Sequence, residues 1–243
     1  MTFERTIDWD AFWCEASDHE QMKASASGEH VLEILPPFFA AKGIPSSFAD
    51  IGCGSGMVTF EMAQRYPEMT VIGYDAAESA LESNRERARV GGRAEREDSE
   101  ATRTREPVAN VGFEQTVLPE FDPGREFEVV FSYCTLCYVA ETDRALRNLY
   151  EAVEDGGYLI LGYVSHHARR HFQERFGDST PGSSLGQFDP VERFELVLDG
   201  ESVLSYRRIH DVLGTWPRSI WSVVEKPDMQ WAWENVPLVW VPK

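Results

Sequence analysis

The run Asp50-Ile51-Gly52-Cys53-Gly54-Ser55-Gly56 limits what this chain can fold into more than any other feature. Ser47 to Ile51 is short and mostly apolar, and three glycines follow within five residues, so a buried strand ends in a tight turn. Val58, Met62 and Tyr66 then recur every four residues up to Pro67, which is helical spacing. A strand that turns on glycines into a helix opens a βαβ unit, and the next strand of such a unit lies parallel to the first.

The alternation continues. Thr70 to Asp75 reads as a strand, Glu78 to Val90 as a charged helix, and Val111 to Gln115 and Phe127 to Ser132 as strands. A helix is predicted from Glu141 to Glu154, stopped by Gly156-Gly157, with a strand from Tyr158 to Val164 behind it. Right-handed crossovers then predict an α/β fold, a Rossmann-like doubly wound and mostly parallel sheet of about seven strands with helices on both faces. An antiparallel last strand is expected at Val236 to Val241. Residues 8–41 carry helical spacing for two helices, with Trp9, Phe12 and Trp13 early and Val31, Leu32 and Leu35 before Pro36. One domain is expected over 1–243, divided into an N-terminal helical cover (1–46), a ligand-binding core (47–165) and a C-terminal part (166–243) that completes the sheet and faces the substrate. Gly91 to Asn110 lacks apolar residues and periodicity and reads as a solvated excursion; DSTPGSSLGQ at 178–187 reads as a link.

Charge narrows the partners. Asp and Glu number 41 against 23 Lys and Arg, a formal net charge of −18. That field repels phosphate backbones and anionic membrane surfaces, so nucleic acid is an unlikely partner and no membrane is expected. Only four of the cations are lysines, the composition of a halophilic protein, in which molar salt shrinks the Debye length to ~3 Å and screens the carboxylates. Four scattered cysteines and the lack of a basic-then-apolar leader point to a reducing cytoplasm. Cys134 and Cys137 have C-x-x-C spacing but no second ligand pair, so no metal is expected.

In a doubly wound sheet ligands settle beyond the carboxyl ends of the strands, where the chain order reverses. The dinucleotide pattern G-x-G-x-x-G would need a glycine at position 57, where Met57 stands, and it does not call for Asp50. Asp75 suits an adenosyl ligand in either case, because an acid ending the second strand can hold both ribose hydroxyls. The text FADIGCGSG resembles the first motif of class I S-adenosylmethionine-dependent methyltransferases. The likeness runs over about residues 30–165 and includes Gly73-Tyr74-Asp75, FEVVFS and VEDGGYLILGYV.

That resemblance implies S-adenosylmethionine as cofactor and S-adenosylhomocysteine as product. It implies that Asp50 orders the turn and approaches the methionine amino end, that Gly52, Cys53, Gly54 and Gly56 lie against the cofactor, and that Asp75 holds the ribose with Ala76 under the adenine. Gln115 or Thr116 stands where the family often has an acid near the adenine amine. Ser132 and Tyr133 match the position that meets the methionine part and the acceptor. Trp9, Phe12 and Trp13 resemble the helical cover of small-molecule methyltransferases. Methyl transfer is a direct displacement and can run without a general base; His166, His167 and Tyr133 are the candidates for one, with His210 weaker. His166 and His167 equally suit the start of a helix facing water.

This chain has Ser132-Tyr133-Cys134-Thr135 where amino-methylating DNA enzymes carry Asn-Pro-Pro-Tyr, and it has no Pro-Cys pair for cytosine-C5 chemistry. A small-molecule acceptor is therefore expected, with a tRNA or protein methyltransferase and a non-catalytic S-adenosylmethionine-binding protein as alternatives. The enzyme would act as a monomer or homodimer. Five of seven tryptophans (Trp216, Trp221, Trp231, Trp233, Trp240) fall in the tail, where they either line a pocket or close a core.

Overall fold

The computed structural model describes residues 4–91, 107–176, 188–226 and 237–243. Most of the Gly91 to Asn110 excursion, the 178–187 link, Trp231, Trp233 and Val236 lie outside the described residues. Two helices, α1 (Trp9–Glu15) and α2 (Asp18–Lys42), precede the sheet. The core follows as β1 (Ser47–Ile51), α3 (Met57–Arg65), β2 (Thr70–Asp75), α4 (Glu78–Val90), β3 (Val111–Gln115), β4 (Phe127–Tyr133), α5 (Thr142–Glu151) and β5 (Val153–Gly162). Then come α6 (His166–Phe176), α7 (Pro190–Arg193), α8 (Glu195–Asp199), α9 (Tyr206–Leu213), β6 (Arg218–Ser219) and β7 (Leu238–Pro242).

The seven strands lie in the order β3-β2-β1-β4-β5-β7-β6. Strands β3 to β5 of that order pair in parallel, and β7 runs antiparallel to both its neighbours. The expected doubly wound sheet with an antiparallel last strand is therefore present, and its order reverses between β1 and β4. Alternate residues of β4 explain the two covered faces: Val129 and Phe131 join α2 and α3 in one core, and Val130 joins α5 and α9 in the other. Burial of side chains on both faces of a parallel sheet is the main apolar term holding such a fold.

The largest departures from the sequence expectation are at the junction of α5 with β5 and at β6. Helix α5 ends at Glu151, and β5 already starts at Val153, which pairs with Phe127 before the register shifts. The glycines do not stop the helix; they let the strand pass, since a Cβ at Gly157 would collide with the carbonyl oxygen of Glu128. Strand β6 has only two residues, too short for any periodicity to announce. In the tail, Trp240 is buried under Phe38 and Tyr158, and Trp221 packs beside that core, while Trp216 is exposed and stacks on His210. No helix among the described residues is long and apolar enough to cross a membrane.

Candidate functional site

The turn after β1 is tied to β2 by its own backbone. The N–H groups of Gly52 and Cys53 both donate to the Tyr74 carbonyl, at 2.7 and 3.0 Å. Gly52 has φ +76°, and a Cβ there would overlap the Thr135 side chain, so both the conformation and the space call for glycine. At Gly54 a Cβ would come within 2.6 Å of the Trp13 indole. The chain thus brings the N-terminal helix down onto bare backbone.

Asp75 ends β2 and is the hub of this corner. Its Oδ2 accepts from Gly54 N at 2.7 Å and its Oδ1 from Ala77 N at 2.9 Å, which fixes the carboxylate between the two glycine-turn and helix-α4 backbones. Burial raises its pKa, and the hydrogen bonds to Ala77 and Gly54 oppose that rise. Asp50 lies deeper. Its Oδ2 accepts from Thr59 Oγ1 at 2.6 Å, and burial pushes its pKa up to about 7 against that bond. Gly56 caps α3 with φ +72° and packs on Asn84, whose Nδ2 donates to the Gly54 carbonyl at 2.8 Å.

Above this corner lies a cavity of about 350 Å³, within the ~300–1,000 Å³ usual for small-molecule sites. Its floor is Ile51, Gly52, Gly54, Asp75 and Ala76, and one end is Thr116 to Leu118. The other end is Tyr133 to Thr135, Cys137 to Val139 and Val164, under a roof of Trp9, Trp13, Phe172, Arg193 and Phe194. A smaller cavity of about 80 Å³ shares Trp13, Gly52, Gly54 and Tyr133 with it and reaches Asp50 and Cys53.

Of the residues singled out in the sequence, Gly52, Gly54, Asp75, Ala76, Thr116, Tyr133, Trp9 and Trp13 border the larger cavity, and Asp50 and Cys53 border the smaller. The others border neither cavity. Cys53 also packs its far side against Phe60, Leu81 and Phe113. Gln115 donates Nε2 to the Ala76 carbonyl at 3.0 Å, holding the backbone under the floor. Phe12 is buried between Trp9, Trp13 and Phe188. Ser132 is buried in β4, and its hydroxyl has no partner among the described residues. His166 is exposed at the start of α6, and His167 faces Arg170 and His171; His210 lies under Trp216.

Sequence reading missed Thr135, Tyr138, Val164, Phe172, Arg193 and Phe194. The strand-end rule, carried five residues past Tyr133, reaches Tyr138. Asp189-Pro190 announces a helix start, and Asp189 does cap α7, but nothing local says that Arg193 at its end faces a cavity built by residues 9 and 138. Burial raises the pKa of the Tyr133 and Tyr138 phenols and the Cys134 thiol and pushes the Cys137 thiol to about 12, so all four stay protonated at neutral pH. Among the described residues no group of three His, Cys, Asp or Glu could hold a metal ion.

Residues 49–159 match the family model of a methyltransferase domain. The trans-aconitate 2-methyltransferase of Deinococcus radiodurans is 26% identical over 168 residues, 68% of this chain and 56% of that protein. The malonyl-[acyl-carrier protein] O-methyltransferase of Bacillus cereus is 24% identical over 125 residues, 51% of this chain and 39% of that protein. The chain thus spans about half or less of the length of these curated relatives. Among solved structures, the plantazolicin methyltransferase BpumL in complex with SAH aligns at a TM-score of 0.58 and 12% identity, covering 97% of this chain and 93% of that one. The magnesium protoporphyrin IX methyltransferase of Synechocystis PCC 6803 with bound SAH aligns at 0.56 and 14%, covering 92% and 86%. At these identities the likeness is one of fold.

Proposed function

We propose that this chain transfers the methyl group of S-adenosylmethionine to a small-molecule acceptor and releases S-adenosylhomocysteine. The observation that carries the reading is the Asp75 carboxylate, held by Gly54 N and Ala77 N in a cavity floor that it shares with the bare backbone of Gly52 and Gly54. Such a corner fits an adenosyl ligand: a fixed carboxylate for two ribose hydroxyls, Ala76 and Thr116 to Leu118 for a flat base, and Gly52 to Gly54 for close approach of an extended chain. The methyltransferase domain match over 49–159 and the SAH held by structural neighbours of the same fold support the choice of ligand.

When bound, S-adenosylmethionine supplies a methyl group already activated on a sulfonium sulfur. The chain's own residues bind, orient and exclude water. Asp50 faces the smaller cavity beyond the glycines and would meet an ammonium there. Trp13 closes over Gly54, and Trp9 packs on Tyr138 with ring centroids 4.7 Å apart, so the first helix shuts the acceptor end from solvent. The phenols and thiols at that end keep their protons, and His166 and His167 border neither cavity. Our reading therefore assigns no general base: the acceptor brings its own lone pair. It also places a monomer or homodimer in a reducing, salt-rich cytoplasm, supported by four free cysteines and the net charge of −18.

The test is titration calorimetry with S-adenosylmethionine and S-adenosylhomocysteine in multimolar KCl. Wild type is expected to bind in the micromolar range, and Asp75→Ala to bind at least ten times more weakly, ~1.4 kcal/mol. A folded wild type that binds neither ligand overturns the proposal.

A further inference from the structure

Among the described residues Arg193 is a cation with no ion-pair partner. It ends α7 in the cavity roof, and no carboxylate pairs with it among the described residues, in a chain where acids outnumber bases. Its guanidinium carbon lies 5.0 to 5.6 Å from the ring centres of Trp9, Phe12, Tyr138 and Phe194, an aromatic cage that holds the charge in place. Nε and Nη2 both point at the Tyr138 hydroxyl oxygen, at 3.3 and 3.2 Å. That oxygen is the acceptor for both, so the phenol proton is left to donate elsewhere. Nη1 has no partner among the described residues. The acceptor end of the cavity therefore presents a fixed fork whose Nη1 faces no acceptor among the described residues, and apart from the Tyr138 hydroxyl and Thr135, whose Oγ1 donates to the Ile51 carbonyl, the side chains of that end are aromatic, aliphatic or protonated thiols.

We propose that Arg193 and the Tyr138 hydroxyl form a carboxylate-binding site, and that the acceptor is a compact, largely apolar molecule bearing a carboxylate. A planar guanidinium matches a carboxylate in two hydrogen bonds, and the low-polarity walls strengthen both. The walls also set the rest of the acceptor: Val164, Phe172 and Phe194 offer contact area and no polar partner. A neutral molecule of the same shape would leave the charge without a counter-ion and Nη1 without an acceptor, which is how a polar site rejects the wrong ligand. The inference rests on the methyltransferase reading for which half of the cavity takes the acceptor. Among the described residues that line the two cavities Arg193 is the only Lys or Arg, so the acceptor's anion belongs at the Arg193 end.

The experiment uses the full chain saturated with S-adenosylhomocysteine in KCl, with phenylacetate, cinnamate and octanoate as probes, each against its primary amide. At least one acid is expected to bind tenfold or more tightly than its amide. Arg193→Gln should erase that preference, Arg193→Lys should restore part of it, and Tyr138→Phe should weaken it a few-fold. S-adenosylhomocysteine affinity and melting temperature, measured on the same variants, separate the outcomes. A wild type with no preference for any acid, or a preference that survives in Arg193→Gln, overturns the proposal. So does a loss of S-adenosylhomocysteine affinity in Arg193→Gln as large as that of Asp75→Ala, because Arg193 would then serve the cofactor. A wild type that fails to bind S-adenosylhomocysteine yet prefers the acids overturns the methyltransferase reading alone.

Discussion

The two ends of the cavity are built by different means. The corner at Asp50 to Gly56 and Asp75 to Ala77 is backbone: its contacts are N–H groups on one carboxylate and one carbonyl, from two strand ends adjacent in the sheet. The roof at Trp9, Trp13, Arg193 and Phe194 is side chain, and it joins the first helix to a segment more than 170 residues away. Asp10 receives Ser79 N and Ser79 Oγ, at 2.8 and 3.0 Å, which fastens the cover to α4. Arg5 fastens it to the far segment through Glu195, Asp199 and Glu201, and Thr6 Oγ1 donates to the Arg193 carbonyl. A backbone corner tolerates no change of side-chain volume but needs little from distant parts of the chain. A side-chain roof can vary residue by residue, yet it depends on long-range closure.

If that contrast is right, the largest effect belongs to Gly52→Val. The substitution puts a branched side chain at φ +76° and into the Thr135 side chain. A loss of at least 100-fold in S-adenosylhomocysteine affinity is expected by calorimetry, ~2.7 kcal/mol. Trp9→Ala, from the roof, should leave that affinity within threefold. Equal losses from the two would break the comparison.

A smaller effect isolates the buried acid. Asp50 has a folded pKa of about 7, above the ~3.9 of an unfolded aspartate, so between those values the folded state holds the extra proton. Its contribution to stability is whole below the unfolded value and is lost as pH rises through the folded one. The stability of the ligand-free wild type relative to Asp50→Asn should therefore fall from pH 5 to 7.5, by roughly 2 kcal/mol in all, in denaturant titrations. A pH-independent difference would mean that the corner does not hold Asp50 dry.

The smallest effect is that of Arg5→Ala. Exposed ion pairs contribute little to global stability, so the melting temperature and S-adenosylhomocysteine affinity should hardly move. What should change is local: proteolysis on the N-terminal side of Ser17 should accelerate severalfold, because α1 loses its tie to α8. Unchanged cleavage would show that the aromatic contacts of Trp9 and Phe12 close the roof without the ion pairs.

The same contrast explains what could be read in advance. The order and type of elements from Ser47 to Val90 follow from local patterns, because β1 runs into glycines, β2 ends on an acid, α3 repeats its own apolar spacing and α4 is a charged run. Helix α5 ran over by three residues in the reading because Val153 to Gly157 contains both helix-stopping glycines and strand formers. Only the partner strand, Phe127 with Val129, decides between them. The histidines at 166 and 167 suited both a strand-end site and a helix start facing water; in the structure they open α6, with His166 exposed and His167 facing Arg170 and His171.

The sequence by itself determined the backbone corner, since a glycine at positive φ, a strand-ending carboxylate and the short turn between them are local facts of chain geometry. Only the tertiary structure decided that Arg193 meets Tyr138 and Trp9. Their union rests on how an N-terminal helix and a C-terminal segment pack over one sheet edge, and side-chain contacts at that range follow from the closure of the whole fold, with no period or spacing to record them.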